Sequence, residues 1–170
     1  MIKKDNRGIT LAEILVVVAI MAIAGAILSW GLNAVSGKPA QQCSQRTIYS
    51  MERARVSAMS KLNTYYKIYI DNSTGKVMCE EGISNNTAAD AVYTVTTSEL
   101  GSFRVKVSYI DSSDGSLKTM DRGDSITFKF NAGSGGFSTY PCSKLIFMSG
   151  GREYKVKLVR LTGKVYLDLD

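Results

Sequence analysis

The sequence predicts an α+β protein, with a long N-terminal helix, transmembrane in its first half, packed on a C-terminal antiparallel β-sheet domain. Three observations carry that expectation. Residues 9–32 are almost wholly apolar, helical periodicity returns from Ala40 to Leu62, and from Tyr65 onward the period falls to two. The expected divisions are a short basic segment at 1–8, a transmembrane helix at 9–36, an exported helical half at 37–62 and a β-rich globular domain at 63–170. A chain of 170 residues has room for one such domain plus an appendage.

After Glu13 no charged residue appears until Lys38. At about 1.5 Å per residue, a helix of about 20 residues crosses the ~30 Å hydrocarbon layer, so the apolar run is long enough to span it. Lys3, Lys4 and Arg7 precede the run, which keeps the N-terminus cytoplasmic and sends the C-terminal domain outward. A cleavable secretory signal finds a small-residue site at Ala22-Ile23-Ala24, but apolar residues continue past it through Leu32. A lipoprotein signal needs a cysteine just after the run, and the first is Cys43. A plain signal anchor fits length and charge but gives no reason for Glu13.

A carboxylate in a transmembrane segment costs up to about 3 kcal/mol, less near an end. Such groups have partners, and the apolar segment supplies no cation. Cutting the chain after Gly8 creates one, the α-amine of Ile9, whose ordinary pKa is about 8. At about 4 Å and an effective dielectric near 20, the pair is worth roughly 4 kcal/mol, enough to offset the cost. The chemistry favours removal of the first eight residues.

A short basic leader ending in Gly8, an apolar residue after it and a glutamate four residues further on resemble the class 3 signal of type IV prepilins and pseudopilins. The resemblance implies that a membrane-embedded prepilin peptidase cuts between Gly8 and Ile9 and methylates the new amine of Ile9. It implies that Glu13 is the assembly residue, pairing with the amine of a neighbouring subunit as a filament grows. Ile9 stands where the family more often has Phe, and the first proline is Pro39, whereas many members carry one inside the apolar helix. The partners implied are other pilin subunits, the peptidase, the inner or cytoplasmic membrane and an assembly platform. The product is a single-pass membrane protein whose domain lies outside the cytoplasm, at the cell surface or in a periplasmic filament.

Ser36-Gly37-Lys38-Pro39 reads as a break or kink. Beyond it, Ile48, Met51, Ala58, Met59 and Leu62 share one helical face, with Ser50, Arg53, Ser57 and Ser60 opposite. Arg55 falls inside the apolar stripe and must reach outward or find a carboxylate. Strands are expected at 66–71, 76–80, 91–97, 103–110, 126–130, 145–148, 154–161 and 164–169. Turn residues separate them at Asn72–Gly75, Asp114-Gly115, Gly133–Gly136, Gly150-Gly151 and Thr162-Gly163. The basic strand that turns at Thr162-Gly163 into a closing strand resembles the final hairpin of H-type minor pseudopilins and related minor pilins. A minor subunit of a type IV pilus, type II secretion pseudopilus or competence filament is the expectation. The alternative is a membrane-anchored extracellular binding module that does not polymerise.

The chain has no histidine, which removes the usual general base and the usual partner of a nucleophilic Ser or Cys. No enzymatic role, cofactor or metal is expected. Cys43, Cys79 and Cys142 lack metal-ligand spacing, and Cys79 and Cys142, both in the exported β-rich part, are the candidate disulfide pair. Asp111–Ser116 has the carboxylates of a calcium loop, but Gly115 occupies a ligand position and turn chemistry explains the run better. Arg152, Lys155, Lys157, Arg160 and Lys164 offer a basic strand. Alternation splits it between two faces and turns Tyr154 away from Lys155 and Lys157, so DNA binding is not expected.

Overall fold

A computed structural model describes residues 11–35, 37–85 and 92–168 and divides the chain into two units, Met1–Val35 and Ser36–Asp170. The first holds helix α1 (Leu11–Val35), with side chains described as far as Ala26. The segment 1–8, expected to be removed, lies outside the described residues.

The second unit begins with helix α2 (Lys38–Met59). Pro39 sits in its first turn, where a missing N–H breaks no intrahelical bond. The helix ends three residues before Leu62, at a turn in which Lys61 has φ 65°. Its buried stripe keeps Met51 and Ala58 of the expected face, with Ile48 packed against the core, but takes in Ser50 and leaves out Met59. Cys43, Ser44, Thr47, Ser50, Met51, Ala54 and Ala58 are buried, whereas Met59 is 47% exposed. Small hydroxyl residues are admitted because each already has a partner. Ser44 donates to the Gln41 carbonyl at 2.8 Å, Thr47 to that of Cys43 at 2.8 Å and Ser50 to that of Arg46 at 2.8 Å. Ser50 also meets the Tyr66 hydroxyl at 2.6 Å, so no buried hydroxyl of the stripe is stranded.

Ten strands follow: β1 (Asn63–Ile70), β2 (Val77–Ser84), β3 (Thr94–Gly101), β4 (Lys106–Asp111), β5 (Leu117–Thr119), β6 (Ser125–Phe130), β7 (Phe137–Thr139), β8 (Cys142–Ser149), β9 (Arg152–Leu158) and β10 (Val165–Asp168). They form two antiparallel five-stranded sheets, ordered β3-β2-β1-β6-β7 and β10-β9-β8-β4-β5, where the sequence suggested one. The extra strands, β5 and β7, have three residues each, too few to show alternation. β4 starts later than expected because Val105 N–H closes a turn onto the Ser102 carbonyl at 3.1 Å, which leaves Phe103 64% exposed. Helix α2 packs on both sheets. Tyr66, Ile68 and Phe128 of one sheet and Leu145, Phe147 and Val156 of the other are fully buried with Met51 and Ala54 in one core.

Of the two outcomes open to Arg55, reaching outward or finding a carboxylate, it takes the second. Its Nη1 donates to Glu52 Oε2 at 3.0 Å and its Nε to the Thr162 carbonyl at 2.7 Å, while Glu52 Oε1 accepts the Val165 N–H at 2.9 Å. The β9–β10 turn is thereby tied to α2. Gly163, at φ 65°, lies so close to the loop before β7 that a Cβ there would stand 1.8 Å from the Gly135 carbonyl oxygen.

The carboxylates raised as cation ligands are turn anchors. Asp111 accepts from Ser113 N–H at 2.9 Å and from Lys118 at 2.5 Å, and Asp114 accepts from Ser116 N–H at 2.9 Å. Asp71 does the same in the β1–β2 turn, where bonds from the Ser73 hydroxyl and from Thr74 hold its pKa down at about 2.

The disulfide expected between Cys79 and Cys142 is not formed. Cys79 lies in β2 and Cys142 begins β8, in different sheets, and all three cysteines are free and buried. Burial pushes the thiols of Cys43 and Cys142 up to about 12. Folded protein should therefore react slowly with a thiol reagent, and unfolded, unreduced protein should titrate three thiols. Recovery of one thiol before reduction and three after would restore the bridge.

Candidate functional site

From Leu11 to Ala26, helix α1 has no aqueous face apart from Glu13. Ile14, Leu15, Val16, Val17 and Val18 are consecutive, cover more than one turn, and are each more than half exposed, as are Leu11, Ile20, Met21 and Ile23. A helix apolar on every side needs a non-aqueous surround. Each of these side chains gains about 1.5–3 kcal/mol when fully covered. Among the described residues, no helix is long and apolar enough to cross a membrane. The described side chains of α1 stop at Ala26, short of a full span.

Glu13 lies in the first turn of this helix. It is exposed, beside a shallow depression that it lines with Ile14, Val17 and Val18. The first turn carries the positive end of the helix dipole, which favours a carboxylate by about 0.3–1 kcal/mol at an exposed site. Glu13 sets a carboxyl group among apolar neighbours at the surface of the described helix. Gly8 and Ile9 lie outside the described residues.

Residues 3–29 match the family model of the prokaryotic N-terminal methylation motif. The N-terminus is type IV pilin-like. The match supports the type IV pilin and pseudopilin family and indicates a prepilin-peptidase substrate made as a membrane-anchored precursor. The same motif implies assembly of this pilin-like chain with other pilins. It takes in Gly8, Ile9 and Glu13 together and ends before α2, so the likeness of the closing hairpin to H-type subunits draws nothing from it. No curated protein and no solved structure matches the pilin-like chain.

In the globular unit the basic residues divide much as alternation foresaw. Tyr154 packs against the core, while Lys157 is exposed on the other side of β9. One ionic feature had no sequence signal beyond the doublet Glu80-Glu81. Glu81 is 3% exposed beneath α2 and accepts both Nε, at 2.9 Å, and Nη2 of Arg53 on its Oε2. Its Oε1 has no hydrogen-bond partner among the described residues. Alternation places residue 81 on the face of Val77 and Cys79, but only the sheet order and the helix above it make that face interior.

Proposed function

We propose that this chain is a minor pilin or pseudopilin subunit of a type IV pilus, a type II secretion pseudopilus or a competence filament. It works by assembly rather than by catalysis. Helix α1 anchors the precursor as a single-pass membrane protein with the C-terminal domain outside the cytoplasm. Prepilin peptidase cuts between Gly8 and Ile9 and methylates Ile9, and the freed amine becomes the partner of Glu13 in a neighbouring subunit. The observation that carries this reading is the methylation motif over residues 3–29, with Glu13 in the first turn of a helix apolar on every side.

The arrangement suits assembly for electrostatic reasons. Away from water a carboxylate is costly, and an amine on an adjacent helix offsets that cost. Attraction between the two acts along one register, because an apolar helix offers no other charge to meet. The minor role draws support from the β9–β10 hairpin, which pairs from Val165 opposite Leu158 to Asp168 opposite Lys155 and is tied to α2 through Arg55.

Mass spectrometry of protein from its native membrane tests the reading. The expected mature chain begins at Ile9, with one methyl group on its amine. A chain still beginning at Met1, or one beginning at Gly25 after the Ala22-Ile23-Ala24 site, would overturn it.

A further inference from the structure

The outer face of the sheet β10-β9-β8-β4-β5 is assembled by strand register. Directly opposed residues point to the same side of a sheet. Tyr166, Lys157, Lys144, Ile110 and Leu117 therefore form one row across all five strands. Lys155 and Ile146 lie in the next row, and Lys106 and Met148 in the one after it. Leu117 is 65% and Tyr166 43% exposed, and Lys106 and Lys157 are exposed as well. These four lysines share the face with two acids, Glu153 and Asp168, and Lys144 engages Asp168 at 2.7 Å. Lys144 and Lys157 stand directly opposite each other, a like-charge placement that weakens a sheet. Asp168, held at 2.7 Å by Lys144, offsets part of that repulsion, and four lysines against two acids leave the face with an excess of two positive charges.

The mixture of side chains points to the partner's chemistry. Lysine puts a compact ammonium at the end of an apolar stem, and tyrosine joins an apolar ring to a polar tip. A headgroup layer takes both, with phosphates meeting the ammonium groups and the glycerol and acyl boundary meeting Tyr166, Leu117 and Ile146. A single nucleic-acid strand would use the lysines but leave Leu117, Ile146 and Met148 idle, and would find one aromatic platform. We propose that this face docks on an anionic phospholipid surface while the subunit is membrane-bound. The inference rests on the membrane-anchored reading above.

The test uses the full chain carrying Thr119→Cys with an environment-sensitive dye. Thr119 is exposed on the same face, opposite Ser108, and the native thiols are buried and slow to label. In nanodiscs of phosphatidylglycerol the emission should shift to the blue relative to nanodiscs of phosphatidylcholine. Raising salt from 0.1 to 1 M, which cuts the screening length from about 10 to about 3 Å, should reverse the shift. Lys155→Gln with Lys157→Gln should weaken the dye response to added phosphatidylglycerol vesicles roughly twentyfold, about fivefold for each charge, whereas the two arginine replacements should keep it. Equal emission in the two lipids overturns the proposal. So does a shift produced by oligothymidylate and not by phosphatidylglycerol, which would assign the face to nucleic acid. If the chain elutes apart from phosphatidylcholine discs, the anchor reading fails, and the vesicle titration still reads the face by itself.

Discussion

Glu13→Ala protein should be membrane-bound and largely processed, yet poorly incorporated into sheared filaments or cross-linked assemblies. The substitution removes a carboxylate from an apolar helix, so insertion should be at least as good as before. The proposed cleavage between Gly8 and Ile9 does not need the partner that it creates. What disappears is the pair worth roughly 4 kcal/mol at about 4 Å and an effective dielectric near 20, which corresponds to several hundredfold in subunit affinity. Glu13→Asp should give a partial loss, because its shorter arm holds the carboxylate farther from the amine. The comparison belongs beside the major subunit of the same system, since a subunit at a filament tip has fewer neighbours to satisfy. Alanine protein that enters assemblies as well as wild type would leave Glu13 a stray anchor residue and remove the main physical support for a filament role.

Gly163→Ala should be among the most damaging single-methyl additions to the globular unit. The residue sits at φ 65°, where an L side chain is strained by about 1–2 kcal/mol. The new Cβ would also stand 1.8 Å from the Gly135 carbonyl oxygen, so one of two backbones must move. Movement there disturbs the bonds from Arg55 to Thr162 and from Val165 to Glu52. A loss of about 3 kcal/mol or more is expected, enough to lower the melting temperature by about 10 °C. Gly115→Ala supplies the control, with φ 70° and nothing within 4 Å of the added carbon, and should cost only the backbone strain. Thermal melts of both variants followed by circular dichroism decide the matter. If the two melt alike, the close approach of Gly163 to Gly135 has no energetic weight.

The N-terminal signal and the strand pattern are legible in the sequence for different reasons. Glu13 stood out because a charge in a long apolar run is costly wherever the run ends up, so no tertiary information was needed. Eight strands were visible because alternation is local, and of the two outcomes open to Arg55, reaching outward or finding a carboxylate, the fold realises the second. The helix face departs from the expected one at Ser50 and Met59, because hydropathy ranks the first as polar and the second as apolar. Burial here follows the close approach of α2 to the sheets, and hydroxyls bonded to their own helix carbonyls fit that gap. The cysteine pair was misjudged for a similar reason, since which sheet each strand joins is decided by long-range register. The row from Tyr166 to Leu117 was invisible for the same cause, because Lys144 and Lys157 become neighbours only once β8 and β9 pair.

The all-round apolar surface of α1 also bears on how reversible assembly can be. Lipid tails are about as apolar as leucine, so moving such a helix from bilayer to a bundle of like helices changes little hydrophobic free energy. The transfer is close to neutral, and Glu13 marks the side of the described helix that a neighbour has to meet. One ionic contact of a few kcal/mol can then tip the balance between stored and assembled subunits. On the proposed function, a filament poised in that way can draw on a membrane reservoir and return to it.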